Sequence, residues 1–488
     1  MMNKLKKDFA FQFIYRFLLV ITPLITSPYL ARTLGAEKLG IYSGTYAYAN
    51  YYILFAILGI EFFGNRSIAV VAENKEQCRH SFWNIYAIQF IASIFAILVY
   101  YGTFGFLHDE SRRLVCLLQG LWVIASGIDI NWYFFGKQEF KLTVTRSIVI
   151  KILSIICIFL FVHGAEDLPK YVFIMAFSMV LSQGILWFFL IKDIGFCKPQ
   201  WNEVRKNVKP ILLLFIPVLA MSVFHIMDKT MVDMLSDEAN GGYYYNVDRL
   251  VNIPLGLITG LGTVMLPRIS RLSNDNDSEG TLTILKKSSE LSLFLTAAVA
   301  FGLGAIAKTF VPVFFGDGYL PCIRMIEVFV PIIVIKAISD FIRQQYLIPS
   351  KKDRLYVIAV ICGALVNLVA NYILILKYGA LGAVIGTFIA EAVVLIVEIL
   401  GTIHEINFPR IFSRNGFYIF IAIIMTAIVK ILENTVQMSG IWKLVLLLIV
   451  GGSSYLLCCL VYWTKAKESI FKGPVKKIMR FSEKTERK

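Results

Sequence analysis

Long apolar stretches of about 20 residues follow one another along the whole chain, with short polar segments between them. This is the length of an α-helix that crosses the hydrocarbon core of a bilayer. We expect about fourteen spans, at residues 9–33, 39–60, 82–107, 114–136, 142–163, 169–191, 210–235, 243–267, 288–313, 321–348, 355–377, 379–403, 416–435 and 440–463. No connecting segment is long enough for a soluble domain. The pattern predicts an all-α polytopic membrane protein that works between its helices.

Composition and charge agree with this pattern. Hydrophobic residues make up 57% of the 488 residues and charged residues only 17%, which excludes an ordinary soluble protein of this length. The formal net charge is +15, and most lysines and arginines lie in alternate connecting segments and in the C-terminal tail. This asymmetry follows the positive-inside rule, so we expect both termini in the cytoplasm and no nucleic-acid partner.

The eight cysteines form no CxxC pair, and the chain has only five histidines. Most of the cysteines lie in apolar segments, where a thiol behaves as a small hydrophobic side chain. We therefore expect no disulfide framework, no metal site and no cofactor.

Two parts of the chain resemble each other at an offset of about 202 residues. LGIYSGTYAYAN (39–50) resembles GGYYYNVDRLVN (241–252), and the match aligns Gly40 with Gly242. Six spans per copy give both copies the same orientation, so we expect two six-helix lobes as parallel repeats around a central cavity, with two extra helices. The predicted domains are an N-terminal lobe, a cytoplasmic linker, a C-terminal lobe, helices 13–14 and a basic cytoplasmic tail, at residues 1–191, 192–209, 210–407, 408–464 and 465–488.

Charged side chains inside the predicted spans are the candidates for function. Such a residue at the centre of a membrane helix costs about 2.5–3.5 kcal/mol, so it normally faces a bundle interior or a water-filled cavity. The candidate substrate-binding cations are Arg16, Lys151, Lys229, Arg249, Lys336 and Arg343. The candidate coupling or ion-pair acids are Asp129, Asp228, Asp248 and Asp340. Structural ion pairs, and long side chains that reach the membrane surface, are the alternative interpretation.

Helical geometry adds expectations about individual residues. In the tenth span Lys336, Asp340 and Arg343 share one face, and the single carboxylate leaves one positive charge over. In the fifth span Arg146 and Lys151 point about 140° apart, so we do not expect both to face one narrow cavity. Arg146 alone can act as a topogenic charge at the cytoplasmic edge. The surplus of cations favours an anionic substrate, since a guanidinium binds two phosphate oxygens at once.

At SPYLARTLGAEKLGIYSGTYAYANYYILFAILGIEFFGNRSIA (27–69) and NWYFFGKQEFKLTVTR (131–146) the chain resembles Wzx-type polysaccharide flippases. These belong to the multidrug/oligosaccharidyl-lipid/polysaccharide exporter superfamily. The resemblance implies a protein of the bacterial cytoplasmic membrane, not an enzyme, that moves an undecaprenyl-diphosphate-linked oligosaccharide repeat unit from the inner to the outer leaflet. It implies alternating access through a cationic central cavity, and the cavity residues carried over are Arg16, Lys151, Lys229 and Arg249.

The resemblance also implies partners. These are the lipid-linked oligosaccharide itself, membrane lipids and, as candidate protein partners, a polysaccharide polymerase and the chain-length machinery. It further implies that helices 13–14 form a groove for the lipid tail.

Three other functions remain open. A cation-coupled multidrug exporter of the same superfamily would need an acidic cavity. The surplus of lysine and arginine in the predicted spans counts against this function. A membrane enzyme of polysaccharide assembly would need a sizeable outer loop with catalytic groups, and the chain has only short connecting segments. A non-catalytic scaffold could use the basic tail 465–488, which also fits contact with anionic lipids.

Overall fold

The computed structural model describes residues 2–107, 109–252, 255–256, 278–350, 352–405 and 407–465, with side chains from Ile21 onward apart from positions 223, 224, 278, 281 and 465. The first nine helices are α1 Met2–Ile57, α2 Ile60–Val71, α3 Lys75–Phe104, α4 Glu110–Gly127, α5 Asn131–Gly136, α6 Phe140–Phe161, α7 Leu168–Ile194, α8 Trp201–Leu235 and α9 238–252. The next seven are α10 Ser278–Phe314, α11 Pro321–Ile342, α12 Asp353–Tyr378, α13 Ala380–Thr402, α14 Phe408–Phe412, α15 Asn415–Thr435 and α16 Gly440–Lys465.

The predicted all-α membrane fold is confirmed. In the described part of the chain, ten helices are long and apolar enough to cross a membrane, and eleven when the two arms of α8 count as one span. α1 contains the first two predicted spans, which meet at Gly35 with φ 78° and ψ 173°. Glycine alone adopts this conformation easily, so the helix changes direction there. The predicted span 243–267 lies partly outside the described residues.

Local sequence explains where several helices begin and end. The Asn74 side chain accepts hydrogen bonds from the first backbone amides of α3, and the Asp109 side chain does the same for α4. These caps satisfy amides that have no partner inside the helix. Gly195 and Gly379 follow α7 and α12 with φ of 65° and 55°, a left-handed conformation that stops a helix.

The chain divides into two compact units between Tyr245 and Asn246. In the first unit, Phe82 of α3 stacks on Trp132 of α5 with ring centroids 5.1 Å apart. Ile211 of α8 is buried in the same hydrophobic cluster. α8 therefore packs with the N-terminal helices, whereas the predicted lobe boundary lies within 192–209 and stays a prediction.

In the second unit, the last two predicted spans occur as α15 and α16. Both pack on α10 through a buried aromatic cluster. The Tyr418 hydroxyl donates to Glu290 Oε1 over 2.8 Å, and Trp463 Nε1 donates to the Tyr418 oxygen over 3.0 Å. The Tyr455 ring stacks on that of Phe294 with centroids 5.6 Å apart. The two C-terminal helices are thus firmly joined to the unit by hydrogen bonds as well as by apolar packing.

Two glycines of the sequence repeat make reciprocal contacts in the first unit. A Cβ atom at Gly40 would lie 1.7 Å from the carbonyl oxygen of Glu238, and one at Gly242 would lie 1.9 Å from the carbonyl oxygen of Ala36. Gly40 and Gly242 are 202 residues apart, as are Ala36 and Glu238. Each of these two segments of the first unit therefore presents the same contact to the other.

Candidate functional site

A polar cavity of about 530 Å³ lies in the first unit, between α4, α5, α6 and α7. Its walls combine apolar residues with a set of polar side chains, which includes Asn131, Arg146, Ser147, Lys151, Ser182 and Gln183. Polar groups in membrane helices are costly unless they are hydrogen-bonded or wet, so a cluster of this kind indicates a site. This cavity is the candidate functional site.

Arg146 of α6 is held firmly in the wall of the cavity. Its side chain is only 8% exposed. One terminal nitrogen donates to the Ser182 carbonyl oxygen over 2.8 Å and to Gln183 Oε1 over 3.3 Å. The other donates to Asn131 Oδ1 and Ser147 Oγ, both over 3.1 Å. The prediction that Arg146 serves as a topogenic charge at the membrane edge is wrong, because the guanidinium is buried and held by neutral acceptors.

Asp129 extends this network from the turn after α4. Its carboxylate accepts hydrogen bonds from Asn131 Nδ2 over 2.8 Å and from Gln183 Nε2 over 2.9 Å. Asn131 and Gln183 also contact Arg146, so two amides connect one carboxylate with one guanidinium. The network fixes the guanidinium in one orientation, as a preorganised anion site requires.

Lys151 lines the same cavity as Arg146. The expectation that the two cations do not both face one narrow cavity does not exclude a shared cavity of about 530 Å³. That expectation was based on the angle between two Cβ directions, but a long side chain reaches well beyond the direction of its Cβ atom. Two cationic residues on one helix consequently line a single polar cavity.

Acidic side chains near the end of α8 contact residues of α1, α4 and α9. Asp228 is 7% exposed and accepts a hydrogen bond from the Tyr244 hydroxyl over 2.7 Å. Asp233 accepts hydrogen bonds from Arg112 and, over 2.8 Å, from the Tyr48 hydroxyl. Lys229 follows Asp228 in the sequence and interacts electrostatically with the Tyr46 hydroxyl group.

Arg112 is a residue that the sequence analysis did not select. It lies on α4, one turn after the cap, and pairs with a carboxylate whose side chain is 5% exposed. An arginine at the polar end of a span is usually solvated. The pairing of Arg112 with a buried carboxylate is therefore visible only in the tertiary structure.

In the second unit, five charged residues from α11, α13 and the turn directly after α11 lie together. Arg343 Nη2 lies 2.7 Å from Asp340 Oδ1, and its Nε lies 3.4 Å from Glu398 Oε1. Lys336 Nζ lies 3.6 Å from Glu391 Oε1. Two cations therefore face three carboxylates, and the prediction that one positive charge is left over here is wrong.

The two glutamates that change this balance had a signal in the sequence. Glu391 and Glu398 are seven residues apart in an apolar span, and this spacing places both on one helix face. Glu398 also accepts a hydrogen bond from the buried Ser339 hydroxyl over 2.6 Å.

Three further candidates lie elsewhere. Asp248 of α9 accepts a hydrogen bond from Asn252 Nδ2 over 2.7 Å, and Arg249 is half-buried beside it in the sequence. The backbone of Arg16 belongs to α1, but its side chain lies outside the described residues. The assignment of all ten candidates to substrate binding or coupling stays a prediction.

Known proteins resemble the chain in sequence and in fold. Residues 5–273 match the family described as "Polysaccharide biosynthesis protein". A protein of Escherichia coli (strain K12) with the name "Putative O-antigen transporter" is 24% identical over 381 residues, which cover 77% of this chain and 91% of that protein.

Two solved structures share the fold. The lipid II flippase MurJ, in an inward closed conformation, superposes with a TM-score of 0.75 at 16% identity, over 93% of this chain and 99% of that chain. A multidrug resistance MATE family transporter of the MOP superfamily superposes with a TM-score of 0.56 at 14% identity, over 82% of this chain and 98% of that chain. The resemblance predicted from residues 27–69 and 131–146 is confirmed: this multi-pass membrane chain belongs to the polysaccharide biosynthesis protein family.

Proposed function

We propose that this protein is a flippase that translocates an undecaprenyl-diphosphate-linked oligosaccharide repeat unit from the inner to the outer leaflet of the bacterial cytoplasmic membrane. The observation that carries the proposal is the polar cavity in which Arg146 and Lys151 line one space of about 530 Å³. The names of the E. coli relative and of the MurJ flippase point to the same class of substrate.

The physical chemistry of the substrate fits such a cavity. A diphosphate and a chain of sugars cannot enter hydrocarbon unaided, because each loses its hydration there. A fixed guanidinium and an ammonium group replace part of that hydration for the diphosphate, while the amides of Asn131 and Gln183 suit sugar hydroxyl groups. The prenyl chain stays in an apolar environment throughout.

Transport would follow the alternating-access scheme of repeat-built transporters, in which two lobes rock about the substrate. Lys229 and Arg249, with Arg16, are proposed to belong to the cationic path. The carboxylate-rich cluster of Asp340, Glu391 and Glu398 is better suited to a coupling cation than to a phosphate. No step of this scheme forms or breaks a covalent bond, so the proposed activity is that of a transporter, not an enzyme.

Deletion of the gene in its host tests the proposal. We expect complete lipid-linked repeat units to accumulate on the inner leaflet and the surface polysaccharide to be lost. Complementation with the wild-type gene controls for effects on neighbouring genes. Normal surface polysaccharide with no accumulation would overturn the proposal.

A multidrug exporter is the second candidate, because the MATE transporter shares the fold. In that case the deletion strain would accumulate a cationic dye faster than its parent and would keep its surface polysaccharide. Arg146 and Lys151 count against this candidate, since two cations repel a cationic drug.

A further inference from the structure

An apolar groove of about 570 Å³ lies in the first unit, between α4, α6 and α7. Its walls are leucine and phenylalanine side chains for most of its length, among them Leu114, Leu118, Leu153, Phe161, Phe173 and Phe177. Leu153 is 48% exposed, and Phe173 and Phe177 are each 45% exposed. The groove thus offers open apolar surface to an apolar chain.

The groove is continuous with the polar cavity. Ile150, Ser154 and Ser178 line both spaces. On one side of these three residues lie Arg146 and Lys151. On the other side the walls are apolar as far as Lys170, which lines the far end of the groove and pairs with Asp167. A ligand that occupies both spaces must therefore be an amphiphile with an anionic head and an apolar tail.

The dimensions of the groove limit how much of a tail it holds. Along α7 it extends from Leu181 to Pro169. Twelve residues of α-helix span about 18 Å, which is somewhat more than half of the hydrocarbon core of a bilayer. The groove can hold the part of a long chain that is nearest the head group, and the remainder would lie in the lipid.

We propose that this groove holds the first isoprenoid units of the prenyl chain of the lipid-linked substrate while the diphosphate lies against Arg146 and Lys151. This inference rests on the proposed function and adds a site for the tail. A diphosphate suits two neighbouring cations better than the single phosphodiester of a phospholipid does, because it carries more negative charge. The site differs from the groove that the family resemblance implies for α15 and α16.

Photo-crosslinking tests the inference on the full-length protein. The protein is placed in nanodiscs of phosphatidylethanolamine and phosphatidylglycerol and is labelled with a polyprenyl diphosphate that carries a diazirine near its head group and has no sugar. We expect cross-links to the groove-lining residues of α6 and α7, located by mass spectrometry. Excess unlabelled polyprenyl diphosphate should abolish them, whereas the same excess of phosphatidylglycerol should leave them unchanged.

A matched pair of variants tests the junction between groove and cavity. Ser178→Phe fills the junction and should lower the labelling about tenfold. Ser453→Phe, on the exposed face of α16, should leave it unchanged. The two serines are comparable, because each hydroxyl donates to a carbonyl oxygen of its own helix, over 2.8 Å to Met175 and 2.6 Å to Ile449.

Two results would overturn the inference. Equal competition by phosphatidylglycerol would identify the groove as ordinary lipid-facing surface, and labelling confined to α15 and α16 would place the tail there. The wild-type competition needs no variant, so a misfolded Ser178→Phe protein would not prevent the test. Labelling is measured without transport, so a failure here is separate from a failure of the proposed transport, which the deletion strain reports.

Discussion

The reciprocal glycine contact makes a sharp prediction about stability. Replacement of Gly40 by alanine places a Cβ atom 1.7 Å from the carbonyl oxygen of Glu238, and replacement of Gly242 places one 1.9 Å from that of Ala36. Real Cβ atoms essentially never approach closer than 3.0 Å. The two segments would have to separate by more than about 1 Å, because a backbone carbonyl cannot rotate out of the way as a side chain can.

The size of the effect follows from this geometry. An extra methyl group in a well-packed interior costs about 1–3 kcal/mol, and the rigid neighbour places both variants near the upper value. For a unit of this size, a loss of about 3 kcal/mol lowers the Tm by roughly 6–12 °C. Because the two contacts are related by the repeat, Gly40→Ala and Gly242→Ala should cost nearly the same. The double variant should cost less than the sum, since the first methyl group has already separated the segments.

Thermal unfolding of the purified proteins in one detergent measures this effect. Gly184→Ala in α7 and Gly452→Ala in α16 are matched controls, because a Cβ at either position meets nothing within 4 Å. Alanine is about 0.5–1 kcal/mol more favourable than glycine inside a helix, so these controls should have an unchanged or higher Tm. A wild-type Tm for Gly40→Ala, or fully additive losses in the double variant, would refute the reciprocal contact.

Three further predictions concern the charged residues. Arg146→Ala should abolish most export of surface polysaccharide at normal protein levels. Arg146→Lys should retain part of the export, because lysine keeps the positive charge but cannot bind two oxygens at once as a guanidinium does. Equal export by both variants and the wild type would contradict a substrate role for Arg146. Lys229→Ala and Arg16→Ala should each reduce export while membrane insertion, measured by immunoblot, stays intact, and normal export from both would refute the cationic path. Arg112→Met should cost about 2–3 kcal/mol by leaving a buried carboxylate without its cation, and addition of Asp233→Leu should recover most of that loss in Tm.

The fold could be predicted in large part from the sequence, because a bilayer imposes a length on each helix. The predicted span 142–163 occurs as α6 Phe140–Phe161, and 379–403 occurs as α13 Ala380–Thr402. The repeat offset aligned Gly40 with Gly242. In the first unit, each of these glycines lies against the segment that contains the other. The lengths of the apolar segments and the repeat are properties of the sequence itself, so they can be recognised without knowledge of the tertiary structure.

The partners of the charged residues could not be predicted in the same way. Helical periodicity orders residues around one helix, but it does not say which helix lies opposite. The contact of Asp233 with Arg112 joins residues 121 positions apart, and that of Arg343 with Glu398 joins different helices. A charge count made along single helices therefore gave the wrong sign for the cluster in the second unit.

The charged clusters of the two units differ in the balance of their charges. In the first unit Asp129, from the fourth predicted span, contacts Gln183 of the sixth; in the second, Asp340 of the tenth shares Arg343 with Glu398 of the twelfth. The sixth predicted span thus contributes a neutral amide to the first cluster, whereas the twelfth contributes two carboxylates, Glu391 and Glu398, to the second. Together with Lys151, this difference leaves the first cluster with more cations than acids and the second with more acids than cations. The proposed division of roles, an anionic substrate in the first unit and a coupling cation in the second, follows from this difference in charge balance.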